Sequence, residues 1–182
     1  MDKKYLFIRG SGRQNGYTNK ISEELIDFIG SDNVTVFDTY KEKFSPCNGC
    51  NYCETQGKCV NRDLDGFFEA FENCDRVIFF APIYNGSFSA PMKSLIDRFQ
   101  FYYTSFYHNN KAFPIAKKRK AYLVCASGRD DKRSFEYMQG QLSCAFTILN
   151  MNLEESFLCA NTDAQPNYLS VVQSVKRSLS ND

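Results

Sequence analysis

The chain holds one histidine, His108, in 182 residues, and no motif around it marks an acid–base triad. His108 itself reads as a surface or interface residue. Neither sign of charge is in excess: Lys plus Arg total 22 and Asp plus Glu 21, a net +1. No basic excess points to a nucleic-acid binder, and no acidic block to a disordered tail. No apolar run approaches the ~18 residues that a membrane span needs. The opening "MDKKYLFIRGSG" has only a short apolar stretch before Arg9, too brief for a signal-peptide core. Low-complexity tracts, linker-like stretches and internal repeats are missing too. These absences predict a cytoplasmic protein with one domain over 1–182, whose partners are neither nucleic acid nor membrane.

What is present alternates between strand-like and helix-like segments. "KYLFIRG" (4–10) is a short apolar run closed by glycine. From Thr18 the period changes, and Ile21, Leu25, Phe28 and Ile29 fall on one helical face that stops at Gly30. "NVTVFDTY" (33–40) reads as a second strand, and Asp63 or Asp65 as the cap of a helix carrying Phe67, Phe68 and Phe71. "RVIFFAP" (76–82) is nearly all apolar, as a strand covered on both faces must be. "SAPMKSLIDRF" (89–99) predicts a helix with Pro91 in its first turn. A strand "KAYLVCAS" (120–127), a helix over 133–149, a strand "LEESFLCA" (153–160) and a helix near 166–178 follow. Five strands separated by helices predict an α/β three-layer sandwich, its parallel sheet ordered 2-1-3-4-5 in the flavodoxin-like way. Segments 41–62 and 100–119 read as long irregular connections, the length at which function is expected.

In such a sheet, ligands bind beyond the carboxyl ends of the strands. The first of these ends carries "GSGRQNGYTN". Its glycines allow a tight turn, the following helix offers unpaired N–H groups, and Ser11, Arg13, Asn15, Thr18 and Asn19 add donors. This composition suits a terminal phosphate monoester. A dinucleotide fingerprint is the rival reading, since Asp38 ends the second strand, but the spacing G-x-G-x-x-x-G is one residue off that pattern. A glycine-rich turn that binds nothing is the third. After the third strand, Tyr84 beside Asn85, Gly86 and Ser87 suits a flat ring.

Together the two loops resemble the NAD(P)H-dependent FMN reductases of flavodoxin-like fold. "APIYNGSFSAPMKSLIDRF" is similar to that family's isoalloxazine loop and following helix, and "GSGRQNGYTNKI" to its phosphate loop. The resemblance covers Tyr5 to about Gln100. It implies that Ser11, Arg13, Asn15, Gly16, Tyr17, Thr18 and Asn19 belong to the FMN phosphate loop. It further implies that Pro82, Ile83, Tyr84, Asn85, Gly86 and Ser87 meet the ring, and that Ser127 and Gly128 add a third contact. The cofactor then carries the chemistry, so no acid–base triad is required. NAD(P)H or a reduced electron carrier is the expected donor; a quinone, another flavin or an iron centre is the expected acceptor. An electron carrier without its own substrate is the alternative, and a zinc- or thiol-based sensor module a more distant one.

Between the second strand and the next helix lies "CNGCNYCETQGKC". Cys47, Cys50, Cys53 and Cys59 match C-x2-C-x2-C-x5-C, a run whose short spacings let thiolates wrap one cubane. Structural zinc and free redox-active thiols stay open, whereas two local disulfides would be strained. The spacing resembles the iron–sulfur flavoprotein branch of the same family, which implies a [4Fe-4S] cluster on an insertion at 41–62. Cys74, Cys125, Cys144 and Cys159 read as small packing residues. The aromatic stretch from Phe99 to Asn109 reads as an oligomer surface, of a homodimer or homotetramer, or as a helix with one face in the core. "KKRK" (117–120) reads as a solvated edge.

Overall fold

The computed structural model describes residues 3–108 and 110–181. Asn109, the end of the aromatic stretch, lies outside them. Five parallel strands form one sheet in the order β2-β1-β3-β4-β5: β1 Tyr5–Arg9, β2 Val34–Asp38, β3 Arg76–Pro82, β4 Arg119–Ala126 and β5 Met151–Cys159. Helix α1 (Tyr17–Ile29) links β1 to β2, and α2 (Tyr52–Gln56) and α3 (Asp65–Asn73) lie between β2 and β3. Then α4 (Ala90–Asp97) and α5 (Gln100–His108) precede β4, α6 (Lys132–Phe146) precedes β5, and α7 (Tyr168–Ser180) follows it. Fold class and strand order are those the sequence predicts.

Alternation along the strands builds two cores. Leu6, Ile8, Val77, Phe79 and Leu123 point to α3, α4, α5 and α6, where Phe67, Leu95, Tyr102 and Leu142 meet them. Their neighbours Phe7, Ile78, Phe80 and Val124 face Ile21 and Leu25 of α1 and Val171 and Val175 of α7. A side chain such as Phe71, with no exposed surface, contributes about 2–3 kcal/mol by burial.

Several local expectations change. The predicted capping by Asp63 or Asp65 does not occur: Leu64 is the N-cap residue of α3, without a side-chain bond, and Asp63 is engaged with Arg98 and Ser45. Segment 100–119 is not irregular throughout, because α5 forms where Tyr102 and Thr104 can be buried. The tetrad 117–120 is a solvated edge only in part: Lys117 and Lys118 are exposed, but Arg119 is not. β4 lies between β3 and β5, and the fully buried Arg119 guanidinium donates to the carbonyls of Phe71 and Leu149. Phe28 leaves the buried face of α1 and stands 47% exposed, with Lys176 Nζ 5.7 Å from its ring centre. Cys144 is exposed on α6, unlike the buried Cys74, Cys125 and Cys159. Among the described residues no helix is long and apolar enough to cross a membrane.

Candidate functional site

The carboxyl ends of β1, β3, β4 and β5 open into a cavity of ≈ 430 Å³, within the range of small-molecule sites. Its construction begins at β1, where the Gly10 N–H donates to Phe80 C=O at 2.8 Å. The Ser89 hydroxyl, at the head of α4, donates to Gly10 C=O at 2.8 Å. The loop beyond is wound around the backbone of Arg13. The Arg13 N–H donates to Ser11 Oγ at 3.2 Å. Its carbonyl accepts from the Gly16 N–H at 2.9 Å and from Asn19 Nδ2 at 3.0 Å. The main chain is thus fixed, while the Arg13 residue stays exposed on the cavity wall.

Gly16 precedes α1 in extended conformation, no side chain caps the helix, and its first turn holds no acid. The positive end of a 13-residue helix and a guanidinium therefore border the same space, an arrangement that receives an anion. Opposite lie Pro82, Ile83 and Tyr84. Tyr84 and Ser87 exchange both backbone hydrogen bonds at 3.0 Å, closing a turn over Asn85 (φ 49) and Gly86 (φ 80). Positive φ at both central positions is what a type I′ turn demands, and Asn-Gly is the pair that meets it most readily.

An adjoining cavity of ≈ 650 Å³ is lined by Asn85, Gly86, Ser127 and Arg129, and shares Ile83, Gly128 and Asp163 with the first. Of the ring-, phosphate- and third-loop residues expected from sequence, all but Asn19 and Ser87 line the two cavities. Asn19 acts from behind by holding Arg13, and Ser87 by closing the turn. Sequence reasoning missed Thr162 and Asp163, which follow β5. The rule that ligands gather beyond strand ends points to the segment after β5 but singles out neither residue. Asp163 packs so closely that a Cβ on Gly128 would stand 2.2 Å from its Oδ2.

The cysteine segment forms a second centre. Cys47, Cys50, Cys53 and Cys59 line one small void of ≈ 30 Å³ with Arg98, Gln100, Phe101 and Thr104. Cys53 Sγ lies 3.6 Å from Thr104 Oγ1. Among the described residues no three Cys, His, Asp or Glu side chains meet at metal-binding distance; the thiols surround one space without converging on a point. The base of the loop is closed by Arg98, whose Nη1 donates to Ser45 C=O (2.7 Å) and Asp63 Oδ1 (2.8 Å), and Nη2 to Asn61 C=O (2.8 Å). Burial alone would raise the Asp63 pKa, but the Ser45 N–H and the Arg98 guanidinium more than reverse this and hold it below the usual carboxylate value. The void and the main cavity share no lining residue.

Comparison with known proteins agrees with this architecture. Residues 3–178 match the flavodoxin-like fold family, Flavodoxin_2, and the chain belongs to it. It is 35% identical over 98 residues to an iron-sulfur flavoprotein of Methanocaldococcus jannaschii, 52% of this chain and 51% of that one. The matched stretches span about half the length of each curated relative. Among solved structures, an NAD(P)H:quinone oxidoreductase from Methanothermobacter marburgensis superposes with a TM-score of 0.71 at 13% identity, over 98% of this chain and 94% of that one. An FMN-dependent NADH-azoreductase from Bacillus anthracis in complex with FMN gives 0.64 at 12% identity, over 98% of both chains. At such identities these likenesses speak for the fold alone.

Proposed function

We propose that this member of the flavodoxin-like fold family is an FMN-dependent oxidoreductase, working as one domain with the cysteine segment inserted after β2. Electrons come from NAD(P)H or a reduced carrier and leave to a quinone, a flavin or another acceptor. The observation that carries this reading is the convergence on one cavity of Arg13, the uncapped start of α1 and the Pro82–Tyr84 wall. Bound FMN supplies the hydride and one-electron chemistry.

The chain's own residues bind and orient it. Arg13, Thr18 and the first N–H groups of α1 take the phosphate; Tyr84 covers the ring; the Asn85–Gly86 turn and the Ser127–Gly128 segment meet its polar edge. Asp163 offers acceptors suited to hydroxyl groups. The four clustered cysteines fit a thiolate-held [4Fe-4S] centre in donor type and number, on an exposed segment able to re-form around it. When loaded, such a centre supplies one-electron transfer. The names of the similar iron-sulfur flavoproteins support that choice over zinc, and a homodimer or homotetramer is the proposed assembly.

Anaerobic titration of the full chain with FMN, followed by flavin fluorescence, tests the reading. Saturable quenching at one FMN per chain is expected. Arg13→Ala should weaken binding by about 10- to 100-fold, since a charge-assisted hydrogen bond contributes roughly 1.5–3 kcal/mol. A chain that takes up no FMN would overturn the proposal. Steady-state NAD(P)H oxidation with a dye acceptor separates a reductase from a pure carrier, which would show almost none.

A further inference from the structure

Arg98 is the C-cap residue of α4, and its side chain has no exposed surface. Burying a guanidinium is expensive, and apolar residues of similar volume commonly serve stability as well or better. Its presence therefore calls for a role in specifying geometry. The acceptors it meets are placed symmetrically about the cysteine run. Ser45 stands two positions before Cys47, and Asn61 two positions after Cys59. Asp63 completes the closure, since one carboxylate oxygen takes Arg98 Nη1 at 2.8 Å and the other the Ser45 N–H at 2.7 Å. The two ends of the loop are thus bound to each other and to α4 by one planar fork, with the four thiols between them.

A second observation concerns the nitrogen left over. Arg98 also lines the void shared by the four cysteines, and its Nε–H is buried without an acceptor. A buried donor left without an acceptor is costly, so it calls for a partner that the protein alone does not provide. Sulfur held as thiolate or sulfide is such a partner, and hydrogen bonds to sulfur raise the potential of iron–sulfur centres.

We propose that Arg98 is a positioning residue for the cysteine centre: it locks the neck of the loop so that four thiolates can close on one cluster, and it donates a hydrogen bond to that cluster's sulfur. The proposal rests on the reading of Cys47, Cys50, Cys53 and Cys59 as cluster ligands. Lysine keeps the charge of Arg98 but lacks the fork that spans Ser45, Asn61 and Asp63, so it does not replace it.

The test is anaerobic reconstitution of the full chain with iron and sulfide, comparing the native sequence with Arg98→Lys and Asp63→Asn. Three readouts are taken: iron and sulfide per chain, cluster lifetime under a chelator, and reduction potential by a spectroscopically followed titration. Arg98→Lys should shorten the chelator lifetime roughly 10- to 100-fold, the range for residues that orient metal ligands from behind, and lower the potential. Asp63→Asn turns an amide N–H toward the Ser45 N–H or forfeits the Arg98 bond, so it should shorten the lifetime less while leaving Arg98 in place. A native chain that takes up no iron or sulfide overturns the cluster reading, and this proposal with it. A native chain that loads while both variants match it in lifetime and potential overturns the role of Arg98 alone. If Arg98→Lys does not fold, an Asp63→Asn chain indistinguishable from native overturns it equally.

Discussion

At the scale of single residues, the eight cysteines divide by environment rather than by spacing. Burial pushes the Cys74 and Cys159 thiols up to about 11, and drives that of Cys125 upward as well. Thiolate is the reactive form, so these three are protected both sterically and chemically. Iodoacetamide at pH 8 should therefore modify Cys47, Cys50, Cys53, Cys59 and Cys144 in the native, metal-free chain, and the other three only after unfolding. Peptide mass spectrometry reads the pattern; rapid labelling of Cys125 in the native protein would contradict it. Cys144 shows where residue-level reading fails. Its apolar neighbours Ala145 and Phe146 suggest packing, but helical rotation turns its own position outward. Arg119 fails in the opposite direction, since a basic tetrad looks solvated until the strand that carries it is placed inside a sheet.

At the scale of elements, the turn after β3 is the most testable. Both central residues hold positive φ, which L side chains other than Asn and Asp adopt at a cost. Gly86→Ala should destabilise the chain by about 1–2 kcal/mol, with Ser134 Oγ only 3.3 Å from the new Cβ adding pressure. It should also weaken FMN binding more than its stability cost implies, because the turn forms part of the cavity wall. Asn85→Gly should be close to neutral. Urea denaturation and flavin titration of both variants check this; equal effects at the two positions would sink the turn assignment. The turn was legible in the sequence as Asn-Gly between apolar runs. Asp163 was harder to see, because nothing local distinguishes "NTDAQ" from any polar loop until the end of β5 is set beside that of β4.

For the molecule as a whole, two carboxylates tie distant segments together. Burial would raise the Asp75 pKa, but Lys117 and the Lys4 N–H hold it below its ordinary value, as Arg98 and Ser45 do for Asp63. The unfolded chain binds these protons near the ordinary value of 3.8, and the folded chain only at lower pH. Their contribution to stability is therefore complete above that pH and is lost as the pH falls through the folded values. Thermal or urea unfolding should show stability dropping below about pH 4, with a shallower decline in a chain carrying both Asp63→Asn and Asp75→Asn. An unchanged acid slope in that variant would show that other groups dominate.

The sequence by itself determined the alternation of strands and helices, the sheet order and the two loops flanking the main cavity. The alternation and the loops depend on interactions within a few residues, namely apolar periodicity, glycine at strand ends and turn chemistry. The sheet order follows instead from the few topologies that right-handed crossovers allow. Only the tertiary structure decided that Arg98 closes a loop whose Asp63 lies 35 positions away, that Arg119 is buried, and that Asp163 stands against Gly128. Each of these depends on chain segments brought together by the sheet, and side-chain charge has no preferred surroundings until that packing exists. For the cysteine run, the sequence supplied the four thiols and their spacing. The fold supplied the void they share and the buried cation at their back.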